Sequence, residues 1–213
     1  MTYSAFLFDF DLTLADSSDG ILKCYREVLS RHGCSATDAA VLETIGRTVS
    51  ESFTLLTGIS DPVVLDVWRG EYRACADCWM NAGTVLYPET ADVLSGLRRE
   101  GARIAVVSTK IRERIEAFAD QHLPPGTVDV IVGGKDVKAP KPNPEGLLLA
   151  MAKLGVSRNQ CLYVGDTAID AEAAQRAGVD FAAILRGHVP AAAFEAYPKK
   201  RLMKSLAEIS MIE

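Results

Sequence analysis

Four aspartates, a serine–threonine pair and three lysines stand at positions that could be brought together to do chemistry. Asp9-Phe10-Asp11-Leu12-Thr13 follows the first apolar run of the chain. Ser108-Thr109-Lys110 follows the second, and Gly165-Asp166-Thr167-Ala168-Ile169-Asp170 follows the fourth. Lys138-Ala139-Pro140-Lys141-Pro142-Asn143-Pro144 precedes that fourth run. If Asp9, Asp11, Asp166 and Asp170 share one crevice, their like charges require a bound cation or raised pKa values. An all-oxygen donor set that must also admit phosphate suits Mg²⁺. Asp166 and Asp170, four apart at a helix start, are expected to share one helix face. A metal, a lysine and hydroxyl donors are what phosphoryl transfer asks for, namely positioning and charge neutralisation. The natural nucleophile in such a set is a carboxylate, which would pass through an aspartyl phosphate.

The elements that must position these residues can be read from periodicity. Phe6–Phe8, Ile104–Val107, Val130–Val132, Leu162–Val164 and Phe181–Leu185 are short continuous apolar runs bounded by turn signals, as expected of strands buried on both faces. Helical patterns at 111–122, 144–155 and 167–178 separate the later runs, the last two closed by Gly155 and Gly178. Strand–helix alternation predicts an α/β fold with a Rossmann-like open parallel sheet, in which ligands bind beyond the carboxyl ends of the strands. Residues 16–85 break the rhythm. They carry no strand pattern, only helical faces such as Ile21, Leu22, Tyr25, Val28 and Leu29. A Ser60-Asp61-Pro62 start opens another helix, with Val63, Val64, Val67 and Trp68 expected on its apolar face. The expected organisation is a core of residues 1–15 and 86–213 with an inserted all-helical cap domain at 16–85. Hinges are expected near Ala15–Ser18 and Thr84–Pro88.

Length and composition bound the function classes. The chain has 213 residues, 48% hydrophobic and 24% charged, and folding should hide roughly 70% of its unfolded surface. A net charge of −5 argues against general partnership with nucleic acid or an anionic membrane. The start of the chain suggests no leader, and its apolar runs are far shorter than the ~20 residues of a membrane span. Five cysteines at irregular spacings, including Cys75-Ala-Asp-Cys78, are expected to be reduced packing residues in a cytoplasmic protein. The basic run Lys199-Lys200-Arg201 reads as a solvated face, and His32, His122 and His188 form no ligand or triad pattern. The partner expected is a small phosphorylated metabolite; monomer and homodimer both remain open.

Asp9-x-Asp11-x-Thr13, Ser108, Lys141 and Gly165-Asp166-x-x-x-Asp170 together resemble the four motifs of the haloacid dehalogenase superfamily. The helical insertion after the first motif resembles its helical-cap subclass, which includes phosphoglycolate phosphatases. The resemblance implies Asp9 as nucleophile and metal ligand. Asp11 would be the general acid and then base, its backbone carbonyl on the metal, with Thr13 supporting its orientation. Ser108 would hold the transferring phosphate and Lys141 neutralise it, Lys138 being the competitor for that role. Asp166 would ligate Mg²⁺ directly, and Asp170 would be a ligand or a support. Asp11 disfavours dehalogenation, since the family's dehalogenases lack that acid. In this subclass Gly46-Arg47-Thr48 falls at the substrate-specificity loop, so Arg47, with Thr109 and Lys110, would bind an anionic substrate such as phosphoglycolate. Pyrophosphatase, phosphosugar mutase and a non-catalytic phosphate-binding partner are the alternatives.

Overall fold

The structure, a computed structural model, describes residues 3–212. The first strand, β1 (Ala5–Phe8), is wholly buried, which explains its unbroken apolar sequence. β2 (Ala15–Asp16) leads into four helices: α1 (Ser18–Arg31), α2 (Asp38–Leu42), α3 (Val49–Thr57) and α4 (Pro62–Trp79). β3 (Val85–Leu86) returns the chain to α5 (Thr90–Arg99), β4 (Arg103–Val107), α6 (Arg112–His122) and β5 (Val130–Val132). Then follow α7 (Glu145–Leu154), β6 (Cys161–Gly165), α8 (Ala168–Ala177), β7 (Asp180–Ile184) and β8 (Arg201–Met203).

Six strands form one parallel sheet in the order β5-β4-β1-β6-β7-β8. The chain builds outward from β1 to β4 and β5, then crosses back to add β6, β7 and β8 on the other side. The strand order therefore reverses at β1, where such sheets open a crevice at the strand carboxyl ends. The period-two alternation of each strand divides the core in two. Phe6, Phe8, Ile104, Val106, Leu162 and Val164 face α5 and α6, where Leu94, Leu97, Ile115 and Phe118 cover them. Leu7, Ala105, Val107, Tyr163 and Ala183 face α7 and α8, against Leu147, Met151, Leu154 and Ala174.

α1 to α4 bury a third cluster of their own, built on Tyr25, Val28, Leu29, Phe53, Trp68 and Tyr72. They connect to the sheet through the antiparallel β2–β3 ladder, Ala15 opposite Leu86 and Asp16 opposite Val85, so the segments expected to be hinges contain this ladder. Asp61 caps α4 by accepting from the Val63 and Val64 N–H groups, with Pro62 at the first helical position, as the sequence suggested.

Three expectations need correction. Val63 and Val67 are 72% and 53% exposed, because α4 turns Trp68, Tyr72, Cys75 and Ala76 inward instead. β8 escapes the apolar-run criterion, as only Leu202 and Met203 of its three residues are apolar. Its first residue, Arg201, belongs to the basic run read as a solvated face, and Lys200 beside it pairs with Asp180 at 3.2 Å. Asp166 precedes the cap residue Thr167 and lies outside the helix, so it does not share a helix face with Asp170.

Candidate functional site

The carboxyl ends of β1, β4 and β6 bring the expected residues to one crevice. Asp9, just past β1, is 2% exposed and its N–H donates to Val164 O at 2.9 Å. The chain then turns tightly, Phe10 O accepting from the N–H groups of Thr13, Leu14 and Ala15. Leu12 takes a left-handed φ of 59° within this turn, a conformation that costs a residue with a Cβ roughly 1–2 kcal/mol. Its buried side chain joins the apolar cluster of α1–α4, so the loop carrying Asp11 is packed against the helical insertion.

Lys141 is the positive centre. Its ammonium donates to Asp170 Oδ1 at 2.6 Å and to Tyr163 Oη at 3.0 Å, and lies 3.0 Å from Asp9 Oδ1. Burial alone would depress this lysine's pKa, but Asp170 and Asp9 outweigh it and hold the group protonated. Asp170 is fully buried. Its Oδ1 accepts from Lys141 and Tyr163, and its Oδ2 accepts from the Thr167 hydroxyl at 2.6 Å and N–H at 3.1 Å. Desolvation works against this carboxylate, yet Lys141, Thr167 and Tyr163 together keep its pKa below the ordinary value. Gly165 allows the approach, since a Cβ there would lie 2.5 Å from Asp170 Cβ.

Asp9 and Asp166 behave oppositely. Burial, with Asp170 and Asp11 adding repulsion, pushes Asp9 up to about 6 despite the attraction of Lys141. Burial also raises Asp166 well above its ordinary range, reinforced by Asp170 and Asp9 and opposed by the Thr13 hydroxyl and Lys141. Oxygens of Asp9, Asp166 and Asp170 lie within 4.8 Å of one another. Asp9 Oδ1, although beside Lys141, accepts no directed hydrogen bond. An oxygen-only set with raised carboxylate pKa values and an orphaned oxygen fits a hard divalent cation. Asp170 fits that role least well, because both its oxygens are taken by protein donors.

The remaining expected residues fall around this centre. Thr13 Oγ1 donates to Asp166 Oδ1 at 3.0 Å, so its hydroxyl orients Asp166; its tie to Asp11 is the backbone turn. Ser108 is 7% exposed, and its Oγ accepts from the Lys110 N–H at 3.3 Å. Lys110 Nζ donates to Asp11 Oδ1 at 2.7 Å. Lys138 is exposed, donating only its backbone N–H to Glu145, so of the two lysines Lys141 is the one beside Asp9. Asp11, Arg47, Thr109 and Lys110 line a cavity of about 470 Å³ between the helical insertion and the sheet.

Two participants were not anticipated. Tyr163 reads as a core residue within Leu162-Tyr163-Val164, and the only cue was that a buried phenol needs a partner. Arg186, at the end of β7, donates to Thr13 O at 3.2 Å, pairs with Glu89 Oε1 at 3.0 Å and lies over the Tyr87 ring. The five cysteines are all free thiols, with Cys75 buried and Cys78 exposed. None of the described helices is long and apolar enough to cross a membrane.

The family model for haloacid dehalogenase-like hydrolases matches residues 6–184, a span that includes Asp9, Asp11, Ser108, Lys141, Asp166 and Asp170. The chain belongs to that family. A solved haloacid dehalogenase-like hydrolase from Bacteroides fragilis is 47% identical, superimposes with a TM-score of 0.96, and covers 97% of this hydrolase and 99% of its own chain. Phosphoglycolate phosphatase of Aquifex aeolicus (strain VF5) is 32% identical over 188 residues, covering 86% of this chain and 85% of its own. Pyrophosphatase PpaX of Bacillus velezensis is 26% identical over 208 residues, covering 97% and 94%.

Proposed function

We propose that this hydrolase is a Mg²⁺-dependent phosphatase that cleaves small phosphomonoesters carrying further negative charge, the class to which phosphoglycolate belongs. The observation that carries the proposal is the buried pairing of Lys141 with both Asp170 and Asp9, with the pKa values of Asp9 and the neighbouring Asp166 both raised. In this reading Asp9 attacks phosphorus and holds the phosphoryl group as an aspartyl phosphate. Asp11 protonates the departing oxygen and then takes the proton of the hydrolytic water. The Lys110 ammonium on Asp11 Oδ1 keeps that carboxyl oriented at the cavity floor. Ser108 donates to the transferring phosphoryl oxygens, and Lys141 neutralises their charge.

Asp9, Asp166 and the Asp11 backbone carbonyl would hold Mg²⁺, with Thr13 orienting Asp166 and Asp170 holding Lys141. When bound, the ion supplies charge neutralisation to the phosphoryl oxygens. Residues 16–85 would act as a cap over the core of residues 1–15 and 86–213, excluding water during transfer and turning about the β2–β3 ladder. The free thiols and the expected metabolite substrate suit a cytoplasmic enzyme. A pyrophosphatase is the second reading, supported by the likeness to PpaX over nearly the whole chain.

The test is phosphate release from phosphoglycolate, pyrophosphate and sugar phosphates, with and without Mg²⁺. The proposal expects metal-dependent release that disappears in a folded Asp9→Asn protein. Metal-independent release, or wild-type turnover in that variant, would refute it.

A further inference from the structure

The cavity above Asp11 is strongly cationic in a chain whose net charge is −5. Seven basic residues line it against one acid: Arg47, Arg69, Arg73, Lys110, Arg114, Lys135 and Lys138 oppose Asp11 alone. Three of the seven are already engaged. Lys110 pairs with Asp11, Arg69 with Asp66, and Arg114 with Asp77 at 2.5 Å. The other four, Arg47, Arg73, Lys135 and Lys138, have no acidic partner among the described residues. They reach the cavity from the loop before α3, from α4, and from the 133–144 loop of the sheet domain. A set of cations drawn from separate segments, lying at the exposed rim of the cavity and unmatched by protein acids, fits an anion supplied by the ligand.

The size and walls of the cavity narrow that ligand. A single carboxylate, as in phosphoglycolate, is satisfied by one forked arginine. A second phosphate carries about −1.5 to −2 charge and three acceptor oxygens, which better matches four unpaired cations. The volume of about 470 Å³ falls in the ~300–1,000 Å³ range of pockets that bury sizeable organic ligands, and a two-carbon acid would leave most of it to water. Ile21, Tyr25, Ile45, Tyr72 and Met80 supply an apolar wall, for which an inorganic diphosphate offers no counterpart.

Building on the phosphatase reading, we infer that the preferred substrate is an organic bisphosphate. One phosphate meets Asp9 and Lys141; the carbon body lies along the Tyr25–Tyr72 wall; the second phosphate is held by Arg73, Lys135 and Lys138 together with Arg47.

The experiment is titration calorimetry on the Mg²⁺-loaded Asp9→Asn protein, which keeps the cavity but does not turn over. The probes are fructose bisphosphate, fructose monophosphate, pyrophosphate and phosphoglycolate. Fructose bisphosphate should bind at least about tenfold more tightly than the other three, the scale of one added charged hydrogen-bond set. Combining Arg73→Ala, Lys135→Ala and Lys138→Ala should shrink the bisphosphate-to-monophosphate ratio to below about twofold, while a thermal melt checks that the variant is folded. Equal binding of the two fructose phosphates, or tightest binding of pyrophosphate or phosphoglycolate, overturns the inference. Wild-type turnover separates it from the reading beneath it. Release of phosphate from any probe without a bisphosphate preference sinks this inference alone. Absence of release with the binding preference intact sinks the phosphatase reading and leaves the cavity assignment standing.

Discussion

The Lys141 ammonium lies 2.6 Å from Asp170 Oδ1, closer than its 3.0 Å approach to Asp9. Asp170 is thereby the lysine's anchor, and Asp9 its second, less directed contact. Replacing Asp170 by Asn removes the anchoring charge while preserving shape. Breaking a buried pair by deleting one partner costs about 3–5 kcal/mol, and the surviving Asp9 contact should reduce this toward the lower end. Asp170→Asn is therefore expected to lower Tm and to reduce kcat by about 100-fold, the scale of a misplaced catalytic group. Tyr163→Phe, which removes only a neutral hydrogen-bond partner, should cost about 1 kcal/mol. Thermal melts and steady-state phosphate release check both; an Asp170→Asn enzyme with wild-type kcat would separate the lysine's placement from this pair.

Thr13 Oγ1 reaches Asp166, and no other side-chain hydroxyl among the described residues does so. Thr13→Val keeps the β-branched shape and deletes that donor. Partners that orient a metal-binding side chain are worth about 10–100-fold in metal affinity, so Mg²⁺ should bind Thr13→Val more weakly by that factor. Thr13→Ser should recover most of the loss. A Mg²⁺ titration of both variants tests it, and unchanged affinity in Thr13→Val would show that Asp166 is held by other contacts.

Asp9 rises from 3.8 to about 6 on folding, and Asp166 shifts in the same direction. The sign is fixed by linkage. Groups whose folded pKa exceeds the unfolded one stabilise the fold when protonated, and that stability is lost as pH rises from about 4 through about 6. A divalent cation replaces the protons and removes the penalty. The gain in Tm on adding Mg²⁺ should therefore be small near pH 5 and larger near pH 7. Scans in paired buffers with and without the ion measure the difference, which cancels the opposite pH dependence of Asp170. A Mg²⁺ effect independent of pH would contradict the assigned shifts.

Which parts of this were legible in the sequence follows from how each residue signals. Asp9, Ser108 and Asp166 are polar residues directly after apolar runs, so strand periodicity alone sends them to one sheet edge. The Lys141 and Lys138 choice was not readable, because both sit in one proline-rich loop; burial separates them. Tyr163 hides inside a strand where its ring serves the core and only its oxygen serves the site. The partner of Thr13 depended on the tight turn at Leu12, whose positive φ a leucine does not advertise. β8 lies at the sheet edge, where polar residues are common and the apolar run fades. Val63 and Val67 misled because two adjacent faces of α4 both carry apolar residues, and only Trp68, Tyr72 and Cys75 extend the stripe along the helix.

The central claim is that Asp9 carries the phosphoryl group. Acid quenching of the wild-type enzyme during Mg²⁺-supported turnover of a phosphoester, followed by peptide mass spectrometry, addresses it directly. The account predicts one phosphoryl adduct, on the peptide containing Asp9, that vanishes under alkaline treatment and is absent from Asp9→Asn. An adduct on another residue, or full turnover in Asp9→Asn, would contradict it.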